Sequence, residues 1–168
     1  MSNWLDLRFT KYKGRSLPEI IFLDPNWFFW SCEQKIFKAN INEMLVSQAD
    51  SLFKKATHIK PPFIGKGRPV VQYFVNQRNG KFAQIKVVSD TIMPSELGVT
   101  PIFTKTAIDW SIPRNLNFND KEGTESIVRR TKILYFGVDF HMSRARAEEF
   151  FDDDRRFDMA GVNWNRQF

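Results

Sequence analysis

The chain has 168 residues, with 25 Lys and Arg against 19 Asp and Glu and a formal net charge of +6. That length suits one domain and leaves little room for two. The 17 Phe, five Trp and three Tyr argue against disorder, and eight Gly with eight Pro exclude a collagen-like or low-complexity chain.

No apolar run approaches the roughly 18 to 20 residues that span a bilayer. The start Met1-Ser2-Asn3-Trp4 has no signal-peptide core. No membrane association is expected, and the expected location is the cytoplasm, that of the host if the gene is a phage's. The single cysteine, Cys32, excludes an internal disulfide and points to a reducing compartment. With only His58 and His141 beside it, neither a structural metal nor a cofactor is expected.

The charge is concentrated. Residues 1–50 balance six basic against six acidic side chains, and residues 90–139 and 140–168 are each acidic by one. Residues 51–89 carry eight basic side chains and no acidic one: Lys54, Lys55, Lys60, Lys66, Arg68, Arg78, Lys81 and Lys86.

In chain order, Trp4 to Phe9 alternates partly, as a half-buried strand does, and Gly14 suits the turn that follows. Ser16 is placed to cap a short helix through Phe22 or Leu23, with Pro18 and Glu19 in its first turn. Asp24-Pro25 is a second helix start, and Trp27, Trp30, Gln34 and Phe37 extend the pattern to about Lys38. Asn42 caps a third helix over 42–57, closed by Lys54-Lys55 and stopped by Pro61-Pro62.

Residues 60–69 form a basic loop containing Gly65-Lys66-Gly67-Arg68, which lacks the spacing of a P-loop. Val70–Gln77 and Lys81–Val88 form a hairpin around Asn79-Gly80, a pair that favours a type I′ turn. Residues 90–123 are irregular apart from a short strand around Pro101–Ile108. Residues 125–130 are helical, Lys132–Phe140 forms a buried strand, and Ser143 caps a helix through Phe151. The tail ends with Trp164 and Phe168. The expected fold class is α+β, a single domain over 1–168 whose antiparallel sheet has a central hairpin.

The stretch Leu7-Arg8-Phe9-Thr10-Lys11-Tyr12-Lys13-Gly14-Arg15-Ser16-Leu17, with Asp24-Pro25-Asn26-Trp27-Phe28-Phe29-Trp30, resembles a family module. It is similar to the C-terminal module of exodeoxyribonuclease X-like proteins, which also occurs alone in bacterial and phage proteins. Lys11, Tyr12, Lys13, Gly14, Leu17, Asp24, Pro25 and Trp30 fit its pattern, and Thr10 stands where that family commonly has Gly. The likeness covers residues 1–38 at most. It implies association with nucleic-acid processing rather than catalysis, because the exonuclease activity of that family belongs to a separate domain with no counterpart here.

The basic segment is the main candidate site. Lysines and arginines neutralise phosphates and release counterions, while Tyr73, Phe74 and Phe82 are placed to stack on unpaired bases. Lys11, Lys13 and Arg15 are candidates to extend the surface. The acids Glu148, Glu149, Asp152, Asp153, Asp154 and Asp158 are crowded into one run with arginines, which fits a solvated helix end better than a metal cleft. Asp139 and His141 at a strand end suit acid–base chemistry but lack a nucleophile.

Three functions follow. The first is a non-catalytic, phage or mobile-element type accessory protein that binds single-stranded DNA or RNA by its phosphate backbone. The second is an inhibitor or adaptor of anti-defence type that docks on a host nucleic-acid-handling complex. The third is a small metal-dependent nuclease.

Overall fold

A computed structural model of the chain describes residues 2–39, 42–62, 65–91 and 103–160. Its elements are α1 (Leu17–Leu23), α2 (Pro25–Glu33), α3 (Glu43–Ala56), β1 (Pro69–Val75), β2 (Phe82–Ser89), β3 (Phe103–Lys105), α4 (Ile112–Leu116), α5 (Lys121–Phe136) and α6 (Arg144–Asp152), followed by a 3-10 turn over Asp154–Arg156. The class is α+β. The elements sort into a helical unit, Met1–Ala56 with His141–Phe168, and a sheet-bearing unit, Thr57–Phe140. No helix of the described residues is long and apolar enough to cross a membrane. Phe63, Ile64, Trp164 and Phe168 lie outside the described residues.

In the helical unit, the expected first strand reduces to an isolated bridge between Asp6 and Ser16. The chain turns back through Leu7 N–H to Arg15 O (2.9 Å) and Gly14 N–H to Leu7 O (2.8 Å). Gly14 there has φ 84. Ser16 occupies the cap position of α1, but its side chain caps nothing: its Oγ is buried without a hydrogen-bond partner among the described residues.

Asp24 does the capping at α2. Its Oδ1 accepts from the Trp27 N–H (3.1 Å), and its Oδ2 accepts from the Tyr12 hydroxyl and from Lys11 Nζ (3.3 Å). One carboxylate therefore ties the 10–15 turn to the start of a helix. α2 stops at Glu33, short of the expected Lys38, because Lys35 enters the left-handed region at φ 56. The Ile36 N–H then reaches Ser31 O (2.9 Å) and the Lys35 N–H reaches Cys32 O (3.1 Å). That pair of bonds is a Schellman cap with Lys in the place glycine usually takes.

Asn42 and Ser143 cap α3 and α6 as expected, accepting from Met44 N–H (3.1 Å) and Arg146 N–H (3.3 Å). The core holds Leu17, Ile20, Ile21, Phe28, Phe29, Leu52, Phe150 and Phe151, and Phe22 packs edge-on against Phe150 at 5.5 Å. Of the Trp27–Trp30 block, the two Phe are buried and Trp30 is exposed. Cys32 is buried, and burial raises its thiol pKa.

The sheet-bearing unit centres on an antiparallel sheet of order β2-β1-β3. The hairpin forms, but its turn differs from the expected one. Asn76 N–H bonds to Lys81 O (2.8 Å) and Gly80 N–H to Asn76 O (2.8 Å), with only Gly80 of the loop at positive φ, 69. A type I′ turn needs positive φ at both central residues. The link is instead a four-residue loop, and a bulge between Phe74 and Val75 adjusts the register before it.

α4 arises inside the stretch expected to be irregular. Of the strand expected over 132–140, residues 132–136 are the end of α5 and 137–140 lie beyond it, outside any strand. Asp120 starts that helix by accepting from the Gly123 N–H (2.9 Å), and Ile127, Val128 and Thr131 form its buried stripe. The register set upstream carries Ile133–Phe136 along as helix despite their strand-forming side chains. Gly137 ends it at φ 91. Fully buried Trp110 donates Nε1–H to Thr131 Oγ1 (2.8 Å) and thereby anchors α5.

Burial tends to raise the Asp24 pKa, but hydrogen bonds from Tyr12, the Trp27 N–H and Lys11 outweigh it and hold the carboxyl below its ordinary value. A carboxyl whose pKa is depressed on folding adds stability above its unfolded pKa and loses it as pH falls through the folded one. Asp24→Ala is therefore expected to cost about 1–2 kcal/mol near pH 7. The gap to wild type should narrow as pH drops below about 4, as urea unfolding at a series of pH values would show.

Candidate nucleic-acid interface

The eight cations of 51–89 are divided between the two units. Lys54 and Lys55 close α3 in the helical unit. Lys55 is 13% exposed, donates to Phe151 O (2.7 Å), pairs with Asp154 (2.8 Å) and lies over the Phe157 ring at 5.4 Å. It is a packing residue. Lys54 is half-buried.

Lys60, Lys66, Arg68, Arg78, Lys81 and Lys86 belong to the sheet-bearing unit. Lys66 and Arg68 are exposed on a loop pinned to the end of β2. The Ser89 hydroxyl donates to Lys66 O (2.5 Å), the Arg68 N–H donates to Asp90 Oδ1 (3.0 Å), and the Asp90 N–H returns to Arg68 O (2.9 Å). Gly67 makes the pinning possible: at φ 87, a methyl group on it would lie 2.5 Å from Ser89 Oγ and 2.6 Å from Asp90 Oδ1.

At the other end of the hairpin, Arg78 N–H bonds to Asn76 Oδ1 and Lys81 N–H to Asn79 Oδ1, both at 2.9 Å. These bonds order the loop while the Arg78 and Lys81 side chains stay exposed. Seven residues of β1 separate the two ends, a span of roughly 23 Å at about 3.3 Å per residue. Half-buried Lys86 lies between them, with its ammonium 5.3 Å from the Phe74 ring centre. Lys60 is exposed, and its carbonyl accepts from the Tyr135 hydroxyl.

The aromatic half of the expected site does not hold. Tyr73 is 0% exposed, and Phe74 and Phe82 are buried too. The Tyr73 hydroxyl donates to Ala107 O (2.9 Å) and accepts from the Asp109 N–H (2.8 Å), while burial raises its pKa. Val71, Gln72, Tyr73 and Phe74 are consecutive and all buried, so both faces of β1 are covered and neither offers a ring to a base.

Lys11, Lys13 and Arg15 lie in the helical unit. Lys11 is committed to Asp24, and Arg15 pairs with Glu19 at 2.6 Å. Lys13 is exposed. Four of the six acids of the C-terminal run have partners, Asp154 through Lys55. Glu148 meets Arg144 (2.8 Å), Asp152 accepts from Trp4 Nε1–H (2.8 Å), and Asp153 pairs with Arg155 (2.8 Å) and Arg156 (3.4 Å). The Arg155 hydrogen bond holds the Asp153 carboxyl at about 2. Among the described residues, no group of three or more His, Cys, Asp or Glu could hold a metal ion. Asp139 and His141 follow a helix rather than a strand and belong to different units.

Sequence reasoning missed Arg129 and Arg130, exposed on α5, which packs against β2. They lie on the helix expected over 125–130, and their adjacency there is the available signal. It also missed Asp109, whose pKa is raised by burial although Ser111 Oγ–H (2.6 Å) and N–H (2.9 Å) bond to its Oδ1 and Lys105 stands 3.7 Å away. Asp109 orders the segment leading into α4. Comparison with known protein families, curated proteins and solved structures finds no match.

Gly67→Ala combines an unfavourable φ with a clash against Ser89 and Asp90. It should cost about 1–3 kcal/mol and release Lys66 and Arg68 from their fixed position. Thermal unfolding would register the first effect, and faster amide exchange at Arg68 and Asp90 the second.

Proposed function

We propose that the chain is a non-catalytic nucleic-acid-binding accessory protein whose sheet-bearing unit holds the phosphate backbone of single-stranded DNA or RNA. The observation that carries this reading is where the charge resides. Residues 57–140 contain 12 Lys and Arg against seven Asp and Glu, while the rest of the chain has 13 against 12. Four exposed cations of that unit, Lys66, Arg68, Arg78 and Lys81, stand on loops ordered by backbone hydrogen bonds, two at each end of the hairpin.

Binding by such a surface is electrostatic. With Tyr73, Phe74 and Phe82 buried, the energy comes from counterion release at phosphates, which carries no base preference. The N-terminal resemblance to a module of nucleic-acid-processing proteins, phage proteins among them, supports the same reading. The adaptor alternative is favoured by one observation, the outer edge of β2, which beyond Phe82 pairs with no strand among the described residues.

Fluorescence anisotropy with a labelled deoxythymidine oligomer tests the proposal. Four phosphate contacts should give a slope of log K against log salt near −3, from about −0.7 per contact on a single strand. Reversing Lys66, Arg68, Arg78 and Lys81 to Glu should abolish binding with the fold intact. Undetectable binding at low salt, or full binding by the reversed variant, contradicts the proposal.

A further inference from the structure

β2 is the outer strand of its sheet among the described residues. The Asp90 N–H to Arg68 O bond and the pairing of Val70 with Val88, Gln72 with Lys86 and Phe74 with Gln84 fix which residues face β1. In an antiparallel ladder the intervening residues turn their N–H and C=O outward. On β2 these are Phe82, Ile85, Val87 and Ser89. The structure answers the first of them: the Phe82 N–H donates to Asp120 Oδ2 (3.2 Å), the carboxylate that also caps α5. Beyond that point the edge opens into a groove of about 420 Å³ between β2 and α5. Ile85, Val87 and Val88 line one side and Leu134 the other, and among the described residues its charged side chains are Lys86 and Arg130, with no acid.

We propose that this groove receives an extended segment of a partner protein, with acidic and apolar side chains alternating, which adds to β2 as a fourth strand. An exposed edge supplies main-chain hydrogen bonds to an incoming strand, and pockets for alternate side chains give selectivity. The apolar positions of the segment pack on Ile85, Val87 and Leu134, while its carboxylates meet Lys86 and Arg130. A nucleic acid has no row of amides to match the edge and no use for the apolar lining. A second copy pairing edge to edge would bring Lys86 and Arg130 against cations of its own kind. The groove is thus a site separate from the loops that carry Lys66, Arg68, Arg78 and Lys81.

The probe is a fluorescein-labelled peptide of about eight alternating Val and Glu residues, a length typical of strands, titrated into the full chain. Saturable binding is expected, at least tenfold tighter than for the matching Val–Lys peptide. Val87→Pro removes an outward N–H without touching the ladder to β1, a placement edge strands tolerate, and it should weaken the Val–Glu peptide tenfold or more. Arg130→Glu on α5, which leaves the strand intact, should do the same. The quadruple Glu variant of the proposed phosphate contacts should retain peptide affinity within about twofold.

The proposal is overturned by absent or charge-indifferent peptide binding, by Arg130→Glu binding as wild type does, or by displacement of the peptide by a deoxythymidine oligomer. A concentration-dependent dimer of the free chain that Arg130→Glu strengthens also overturns it, by assigning the edge to a second copy.

Discussion

The sheet-bearing unit is organised by the position of β1, which is bonded on both edges and covered on both faces. Val71, Gln72, Tyr73 and Phe74 are consecutive and all buried, a pattern that an edge strand with one face in water does not show. From that burial come the hydrogen-bonding of the Tyr73 hydroxyl to Ala107 and Asp109, and hence the ordering of the chain before α4. Pro69, which lacks an N–H, begins the strand opposite Ser89, a pairing that asks for no hydrogen bond from it. The cost of placing so apolar a strand in the middle is that nothing aromatic on it remains for a ligand.

Charge is thereby pushed to the periphery of this unit. The cations that stay exposed are on loops, on α5 and, in Lys105, at the end of β3, and the loops are held by short polar side chains bonded to their backbone: Asp90 and Ser89 at one end, Asn76 and Asn79 at the other. Ordering of this kind limits the entropy lost when a flexible polyanion is bound. The helical unit uses its charges differently. There Lys11, Arg15, Lys55, Arg144 and Arg155 each meet a carboxylate.

Elements with local signals were legible. Asp24-Pro25, Asn42 and Ser143 each mark a helix start whose bonds are made within three residues, and the hairpin strands follow from alternation around Asn79-Gly80. Errors arose where a distant partner decides. The Ile133–Phe136 run is rich in strand formers, yet the cap at Asp120 and the Trp110–Thr131 bond hold it helical. The end of α2 rests on Lys35 in a conformation for which Lys gives no sequence signal. For the site, the concentration of charge could be read directly. That Lys55 is spent on Asp154, almost a hundred residues away, and that Tyr73 lies on a strand flanked by a third, depend on tertiary structure alone.

The central claim is that phosphate charge, without base stacking, holds nucleic acid on this protein. The most direct measurement compares a deoxythymidine oligomer with an abasic oligomer of equal length and phosphate number at one salt concentration. Stacking contributes about 1–3 kcal/mol per base where aromatic platforms exist. Affinities equal within about twofold are predicted; a tenfold or greater preference for the base-bearing strand would contradict the account.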